Sequence, residues 1–342
     1  METTVQVADQ RIGPGQPVFV VAEIGATHGG RIETALRLIE EAARCGVNAV
    51  KLQTICVEES YIRGEPSYEI FKGLWFEKEE LKRLKQACHD QGLILFSTPG
   101  DFVSLELLLE VGIPLIKISS GLMTNLPLVR RAAQTGLPLV ISTGMSDLEE
   151  VTTTVRAVEA AGGRQVILLH CVSLYPAPAD SVNLSAIQTL AKAFPCPVGY
   201  SDHSDGMTAC LAAVAMGAKL LEKHFTLDRG QPGPDHHFSA DPTQLRLLVD
   251  AVRKVEQMIG SSVKAPTEAE RGGRARYRRC LVARRAIVVG EQISPDAIGL
   301  KRPRAGQPGL PPAMLEAVIG RCALRDIAVN ESITAEMIRV EA

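Results

Sequence analysis

Short apolar runs alternate with amphipathic segments along the first 260 residues of this chain. Eight runs have the length and composition of buried strands, at residues 18–24, 47–53, 93–97, 114–118, 138–142, 165–170, 197–200 and 218–225. Segments with the spacing of a buried helix face lie between them, among them residues 32–45, 78–91, 148–160, 184–194 and 242–259. Eight strand-then-helix units within about 240 residues predict an α/β fold, the (β/α)8 TIM barrel.

An open, doubly wound sheet is the alternative architecture. It rarely needs eight units, and no Gly-x-Gly-x-x-Gly fingerprint follows the first apolar run. Residues 4–16 are expected to form a short hairpin that closes the bottom of the barrel.

The alternation of apolar runs ends at Ser261. Residues 261–280 are polar and rich in arginine, which predicts a linker. A solvated connector accounts for these arginines better than a nucleic-acid patch, because no aromatic residues are interleaved with them. Residues 281–342 contain short β-like runs with many glycines and prolines. We therefore expect a barrel domain at 1–260, a linker at 261–280 and a small β-rich domain at 281–342.

Composition and charge narrow the range of functions. The net charge of −2 gives no general affinity for nucleic acid or for an anionic membrane. No apolar run is long enough to span a bilayer, and the N-terminus lacks the regions of a signal peptide. Eight scattered cysteines without a Cys-x-x-Cys pair fit a reducing compartment. We therefore expect a cytoplasmic protein.

Polar residues recur where the predicted strands end, which is where barrel enzymes place their active sites. They include Glu23, Lys51, Gln53, Thr98, Lys117, Ser120, Ser142, Ser173, Tyr175, Ser201, His203, Glu222 and His224. A lysine inside an apolar strand is costly unless an anion pairs with it. Lys51 and Lys117 therefore indicate a bound phosphate or carboxylate. A salt bridge to a neighbouring carboxylate is the alternative for either lysine.

Two histidines lie at the ends of the last two predicted strands. Alternate residues of a strand share a face, so Leu220, Glu222 and His224 are expected to point the same way. His203 and His224, with a carboxylate nearby, form a plausible site for a divalent metal. Two hydrogen-bonded histidines with structural roles are the alternative.

Nine ordered motifs resemble those of the sialic acid synthase family. They lie at residues 22–30 (AEIGATHGG), 51–54 (KLQT), 97–99 (STP), 117–121 (KISSG), 142–145 (STGM), 170–176 (HCVSLYP), 201–203 (SDH), 222–225 (EKHF) and 232–235 (PGPD). The small domain, with residues 301–303 (KRP) and Gly320, resembles the antifreeze-like (SAF) module that these synthases carry. The resemblance covers essentially the whole chain.

The resemblance implies an activity and partners. Members of the family condense phosphoenolpyruvate with an N-acyl-mannosamine-type sugar to give a nonulosonic acid and phosphate. They use a divalent metal, typically Mn²⁺, with Mg²⁺ or Co²⁺ as possibilities. They form homodimers in which each SAF module covers the barrel of the partner.

The resemblance also implies roles for individual residues. Phosphoenolpyruvate would be held by Lys51, Thr98, Lys117, Ser120, Ser142 and Ser201. The sugar and the reacting carbons would be surrounded by Glu23, Gln53, Tyr175, Glu222 and Asp235, and Ser173 would also bind substrate. His203 and His224 would bind the metal, and Arg302 would reach the partner's active site. Lys51 and Lys117 would neutralise the anion, and either Glu23 or Glu222 would act on the attacking water.

Two departures from the family pattern concern the sugar. Leu122 stands where related synthases usually carry a glutamate that faces the sugar, and the 54–76 connection is short. The acceptor therefore stays open among N-acetylmannosamine, a 2,4-diacetamido-trideoxyhexose and a sugar of spore-coat or other surface polysaccharides. Two other functions also stay open. One is a Schiff-base pyruvate aldolase using Lys117, which borohydride trapping would reveal, and the other is a non-catalytic carbohydrate-binding relative.

Overall fold

A computed structural model of the chain describes residues 1–338, with only the backbone of Ala275. It divides into two compact units, Met1–Gly260 and Ser261–Ala342. Within residues 1–338, no helix combines the length and the apolar character that a bilayer crossing requires.

The first unit is a closed barrel of eight parallel strands preceded by a hairpin. The hairpin strands β1 (Val5–Val7) and β2 (Gln10–Ile12) are antiparallel. The barrel strands are β3 (Phe19–Glu23), β4 (Ala49–Thr54), β5 (Ile94–Pro99), β6 (Ile116–Ile118), β7 (Leu139–Ser142), β8 (Val166–Cys171), β9 (Val198–Asp202) and β10 (Leu220–His224). Strand β10 pairs with β3 and closes the ring, so the predicted TIM barrel is confirmed and the open sheet is wrong.

Helices connect the strands on the outside of the barrel. They are α1 (Ile32–Cys45), α2 (Val57–Ser60), α3 (Pro66–Phe71), α4 (Lys78–Asp90), α5 (Phe102–Val111), α6 (Leu126–Gln134), α7 (Leu148–Ala160), α8 (Ala186–Ala193), α9 (Thr208–Ala215) and α10 (Pro242–Ile259). Capping boxes start three of them, at Glu77, Asp147 and Asp241. Because all eight strands are parallel, their C-terminal ends meet at one mouth of the barrel.

The interior of the barrel is filled at its N-terminal end. Val5, Val7 and Ile12 of the hairpin pack in one buried cluster with inward-facing strand residues such as Phe19 and Leu220. The hairpin thus closes the bottom of the barrel as expected. Many polar side chains lie at the mouth, at the opposite end of the barrel.

The segment that we expected to be a linker contains a helix. Residues 261–280 contain a helix, α11 (Glu268–Tyr277), which begins with a capping box between Thr267 and Glu270. The sequence analysis did not predict this helix, because the many arginines of the segment indicated a solvated connector. A capping box satisfies two of the free N–H groups at a helix start, and this allows a polar segment to be helical.

The rest of the second unit is small and mostly irregular. Strand β11 (Cys280–Ala283) pairs antiparallel with β12 (Ile298–Lys301), and a short helix α12 (Leu315–Val318) follows. The apolar residues 286–289 form no strand, although Ile287 forms an isolated bridge with Ile327. Two ion pairs in this unit have the same spacing and length. In each, an arginine lies 2.6 Å from the glutamate six residues later, Arg285 from Glu291 and Arg325 from Glu331.

Candidate active site

A cavity of about 650 Å³ opens at the C-terminal mouth of the barrel. This volume is typical of a small-molecule site. Most of the residues predicted for the site line it, namely Lys51, Gln53, Thr98, Lys117, Ser120, Ser142, Ser173, Tyr175, Ser201, His203, Glu222, His224 and Asp235. The structure therefore brings together side chains that are up to 184 positions apart (235 − 51) in the sequence.

Two predicted residues are placed differently. Glu23 is fully buried and does not line the cavity, but it contacts Lys51 and Gln53, which do. Arg302 belongs to the second unit, where its guanidinium lies 5.5 Å from the centre of the Tyr277 ring. Its contact with a partner subunit stays a prediction.

Lys51 is held between two carboxylates. Its Nζ lies 2.6 Å from Oε2 of Glu23 and 3.5 Å from Oε1 of Glu222, and it donates to Oγ1 of Thr98 at 3.3 Å. Burial acts to lower the pKa of Lys51, but the charges of Glu222 and Glu23 outweigh it and raise that pKa. Lys51 thus forms the salt bridge that was the alternative to a bound anion.

Lys117 is less neutralised than Lys51. Its nearest carboxylate oxygen, Oε2 of Glu222, lies 3.8 Å away, and its Nζ donates to Oγ of Ser142 at 2.7 Å. Burial is the largest influence and lowers the pKa of Lys117, and repulsion by Lys51 acts in the same direction. A buried ammonium with so little compensation favours an incoming anion.

Glu222 lies between the two lysines and lines the cavity. Burial acts to raise its pKa, but Lys117, Lys51 and the two histidines together lower it to about 2. Ser201 donates to Oε1 of Glu222 at 3.3 Å, whereas the buried Oε2 has no hydrogen-bond partner within the described structure. This oxygen is left to meet a ligand or a water molecule.

The position of Glu23 is set by its own loop. Its Oε1 accepts from Nε2 of Gln53 at 2.8 Å and from the N–H of Gly25 at 3.0 Å. A Cβ atom at position 25 would collide with that oxygen and with the side chain of Gln53, so a larger residue there would displace both groups. Glu23 therefore anchors Lys51 and Gln53 from beneath the cavity.

Hydroxyl groups gather on the side of the cavity next to Lys117. Oγ of Ser120 accepts from the N–H of Gly144 at 3.0 Å. A Cβ at position 144 would come within 2.5 Å of Oγ of Ser173 and within 2.8 Å of Oγ of Ser120. Oγ of Ser173 is buried and has no hydrogen-bond partner within the described structure. With Ser142, these groups offer several donors to one anion.

His203 is oriented by the backbone. Its Nδ1 lies 2.7 Å from the carbonyl oxygen of Val172, and a carbonyl can only accept, so Nδ1 carries the proton. The lone pair of the neutral ring is then on Nε2. The ring of Tyr175 lies over the imidazole with 4.2 Å between ring centres. An imidazole whose other nitrogen donates to a carbonyl is the usual form of a metal ligand.

His224 is the second imidazole, with its ring centre 5.3 Å from that of His203. Its buried Nδ1 lies 3.4 Å from Oδ2 of Asp235 but makes no hydrogen bond within the described structure. An unpartnered ring nitrogen next to a second imidazole and a carboxylate suits a divalent cation. Among residues 1–338, no set of three His, Cys, Asp or Glu side chains converges as a complete metal cage. Two imidazoles would therefore leave the other coordination positions to water or substrate.

An apolar wall faces the polar groups across the cavity. The apolar wall comprises Ile55, Tyr61, Ile70 and Phe71 from the connection between β4 and α4, together with Leu122. The rings of Tyr61 and Phe71 stack with 5.6 Å between their centres. The connection that we expected to be short thus supplies most of this wall.

Several cavity residues were missed by the sequence analysis. Cys171 and Met145 line the cavity, and Phe238 packs on the rings of His224 and Tyr175. The alternation of strand residues could have identified Cys171, because it lies two residues after the inward-facing Leu169 of the same strand. No periodicity marks the others, which come from loops.

The chain is similar to known proteins along most of its length. Residues 38–264 match the NeuB family, and residues 278–339 match the SAF domain. An uncharacterised protein of Methanocaldococcus jannaschii is 43% identical over 88% of this chain and 90% of its own length. The N,N'-diacetyllegionaminic acid synthase of Legionella pneumophila is 38% identical over 90% of this chain and 91% of its own length.

A solved structure gives the same result. The N-acetylneuraminic acid synthetase of Leptospira borgpetersenii superposes with a TM-score of 0.76 at 37% identity, covering 80% of this chain and 95% of its own. The chain belongs to the NeuB family of nonulosonic acid synthases.

Proposed function

We propose that this protein condenses phosphoenolpyruvate with an N-acyl-mannosamine-type sugar aldehyde to give a nonulosonic acid and phosphate, for a surface polysaccharide. One observation carries the proposal. A single cavity combines two buried lysines, a set of hydroxyls, a carboxylate with a free oxygen and two adjacent imidazoles. The lysines and the hydroxyls suit a phosphorylated carboxylate, the carboxylate can act on water, and the imidazoles suit a metal that would serve the aldehyde.

Lys51 and Lys117 hold the anionic groups of phosphoenolpyruvate. Lys117 is the stronger candidate for the first contact, because it has the more distant carboxylate partner. The hydroxyls of Ser120 and Ser142 line the same cavity and add hydrogen bonds to the anion.

His203 and His224 would hold a divalent cation, most simply Mn²⁺, through their lone pairs. When bound, such an ion supplies Lewis acidity to the carbonyl oxygen of the open-chain sugar. Tyr175, whose ring is tilted against that of His203, lines the cavity beside the imidazoles, where the aldehyde end of the sugar would lie. Carbon 3 of phosphoenolpyruvate then forms the new bond to the aldehyde carbon, the carbonyl electron pair moves onto the aldehyde oxygen, which takes up a proton, and carbon 2 becomes an oxocarbenium cation.

Glu222 is the better placed of the two glutamates to act on water, because it lines the cavity and Glu23 does not. Its pKa of about 2 depends on the charges of the two lysines. An anion that pairs with these lysines weakens their hold and raises that pKa. The carboxylate can then accept a proton from the water that adds to carbon 2, after which phosphate leaves.

The apolar wall bears on which sugar is accepted. Leu122 lines the cavity and also packs against the hydrophobic core, so its methyl groups have a defined place. A sugar hydroxyl against this surface would lose its hydrogen bonds to water, at a cost of about 1–3 kcal/mol. A deoxygenated or acylated position of the sugar would avoid this loss of free energy.

We therefore expect the protein to prefer a 2,4-diacetamido-trideoxyhexose to N-acetylmannosamine by about ten- to a hundredfold in kcat/KM. Phosphate release with phosphoenolpyruvate, Mn²⁺ and a panel of hexosamines measures both the activity and the preference. No phosphate release with any aldose in the panel would contradict the proposed function.

Two variants isolate the part played by Leu122. Leu122→Glu should partly restore activity on N-acetylmannosamine, because the carboxylate can accept a hydrogen bond from the sugar. Leu122→Met, which keeps an apolar surface, should retain the parental preference. A clear parental preference for N-acetylmannosamine would show that Leu122 only packs beneath the site.

We further propose a cytoplasmic homodimer in which the second unit of one subunit completes the cavity of its partner. Arg302 is exposed on this unit, next to Lys301 and Arg304, and offers a bidentate donor to a carboxylate or a sugar hydroxyl. All eight cysteines are free thiols, which suits a reducing compartment.

Subunit mixing tests this arrangement. Arg302→Ala and Lys117→Ala proteins should each be nearly inactive, and deletion of residues 270–342 should also remove most activity. After subunit exchange the mixture should regain about a quarter of the parental activity, because half of the dimers are mixed and one of their two sites is intact. No recovery after verified exchange, or a monomer in solution, would contradict the shared site.

A further inference from the structure

A buried ion pair lies directly behind the two histidines, on the outward faces of strands β9 and β10. Nζ of Lys223 is 2.7 Å from Oδ2 of Asp202. Both residues are buried, with 1% and 0% of their surface exposed, and neither lines the cavity. The strand register places Lys223 opposite Asp202, while Glu222 and Ser201 face the cavity one position earlier.

Lys223 also holds the chain on the far side of His203. Its Nζ donates to the carbonyl oxygen of Ser204 at 2.5 Å. One ammonium group therefore binds the residue before His203 and the residue after it. In its own strand, Lys223 lies between Glu222 and His224. Lys223 thus links the backbone around His203 to the backbone of Glu222 and His224.

Asp202 completes the local structure around this ammonium. Its Oδ1 accepts from the hydroxyl of Tyr200 at 3.0 Å and from the N–H and hydroxyl of Ser204 at 2.8 and 2.7 Å. Its Oδ2 also accepts from the thiol of Cys210 at 3.2 Å. A carboxylate with this many donors is fixed in place, and it fixes the turn that carries His203.

Stability alone does not account for such a pair. Two fully buried charges lose their hydration, and their attraction often only balances that loss, so a packed apolar pair would serve the fold equally well. The contacts of the pair are concentrated on the residues next to His203, Glu222 and His224. Positioning these three side chains is a role that an apolar pair could not fill.

We propose that Asp202 and Lys223 are positioning residues that set the affinity of the site for its divalent metal by holding His203 and His224 at a fixed separation. This proposal rests on the proposed function, since it takes these two histidines as the metal ligands. It assigns the ion pair no contact with substrate or metal. Metal binding should therefore depend on the pair, whereas phosphoenolpyruvate binding should not.

The test compares metal binding with phosphoenolpyruvate binding in one uncharged variant. Asp202→Asn/Lys223→Met removes both charges together, keeps an acceptor for the N–H of Ser204 and leaves no buried charge unpaired. We expect its dissociation constant for Mn²⁺, measured from the paramagnetic resonance signal of the free ion, to rise about 10- to 100-fold. Its affinity for phosphoenolpyruvate in the presence of chelator should stay within about twofold, because Lys51 and Lys117 are untouched.

Tyr200→Phe is the matched control. It removes one donor to the same carboxylate but leaves the contacts of Lys223 on both sides of His203 intact. It should lower the thermal midpoint of unfolding without changing the affinity for Mn²⁺. Equal Mn²⁺ affinity in the parent and the folded double variant, or an equal loss in Tyr200→Phe, would overturn the positioning role.

If the double variant does not fold, Lys223→Arg replaces it in the measurement of Mn²⁺ affinity. It keeps the charge, but a planar guanidinium cannot occupy the same point between the carboxylate and the carbonyl. Weaker Mn²⁺ binding in this variant supports the proposal, and unchanged binding overturns it. The proposed function fails separately, if His203→Ala binds Mn²⁺ as tightly as the parent.

Discussion

Alanine in place of His203 or His224 is expected to lower turnover by about a thousandfold or more, because each change removes one of the two imidazoles that would hold the metal. His203 makes a hydrogen bond with the carbonyl of Val172, and both rings pack on neighbouring aromatic rings. The variants should stay folded, with a loss of about 1–3 kcal/mol in the free energy of unfolding. Phosphate release in the presence of Mn²⁺, metal analysis of the purified proteins and thermal unfolding measure these effects.

His89 supplies a control for this prediction. It is an exposed histidine on helix α4, on the outside of the barrel, and His89→Ala should keep parental turnover and metal content. Full activity of the parent in excess chelator would rule out the metal site.

Removal of either buried lysine should weaken phosphoenolpyruvate binding by about 2–4 kcal/mol, or roughly 30- to 1000-fold. The two variants should differ in stability. Lys51→Ala leaves Glu23 without its ionic partner in a buried position, which costs about 3–5 kcal/mol of unfolding free energy. Lys117→Ala should cost less, because Glu222 keeps Lys51 nearby.

Calorimetric titration with phosphoenolpyruvate and chemical denaturation measure the two quantities independently. Lys82→Ala is the control, since this lysine lies on the surface of α4 and pairs with Glu79. A lysine variant that binds phosphoenolpyruvate as the parent does would remove that lysine from the anion site. Equal destabilisation by the two variants would contradict the proposed difference in their ion pairing.

The barrel could be predicted from sequence because its signal is local and repeated. Each strand is a short apolar run, and each run is followed by an amphipathic helix. The cavity-facing residues followed from the same pattern. Lys51, Lys117, Ser201 and Glu222 interrupt apolar strands at positions that alternate toward the interior, and the two lysines among them indicated an anion site.

The partners of these residues could not be predicted, because they depend on the geometry of the closed barrel. Nothing in the sequence indicates that Lys51 binds Glu23 more closely than Glu222, or that Lys223 reaches past His203 to the carbonyl of Ser204. Contacts between different strands are set by register and side-chain length, which appear only once the barrel closes.

The apolar wall was missed for another reason. Tyr61, Ile70 and Phe71 lie in a connection with only short helices, where no hydrophobic period marks an inward face. Their role depends on where the connection folds back over the cavity, and this is a tertiary property. Helix α11 was not predicted, although its capping box is a local signal. The surrounding arginines favoured the interpretation of that segment as a solvated connector.

The separation of the polar groups from the apolar wall has an evolutionary consequence. The lysines and the histidines lie on or next to barrel strands, whereas Tyr61, Ile70 and Phe71 lie in one surface connection between β4 and α4. Mutations in that connection can accumulate without disturbing the strands. A lineage could thus acquire a new acceptor sugar by drift in a single loop, and a laboratory could attempt the same change by exchanging residues 55–76 between relatives.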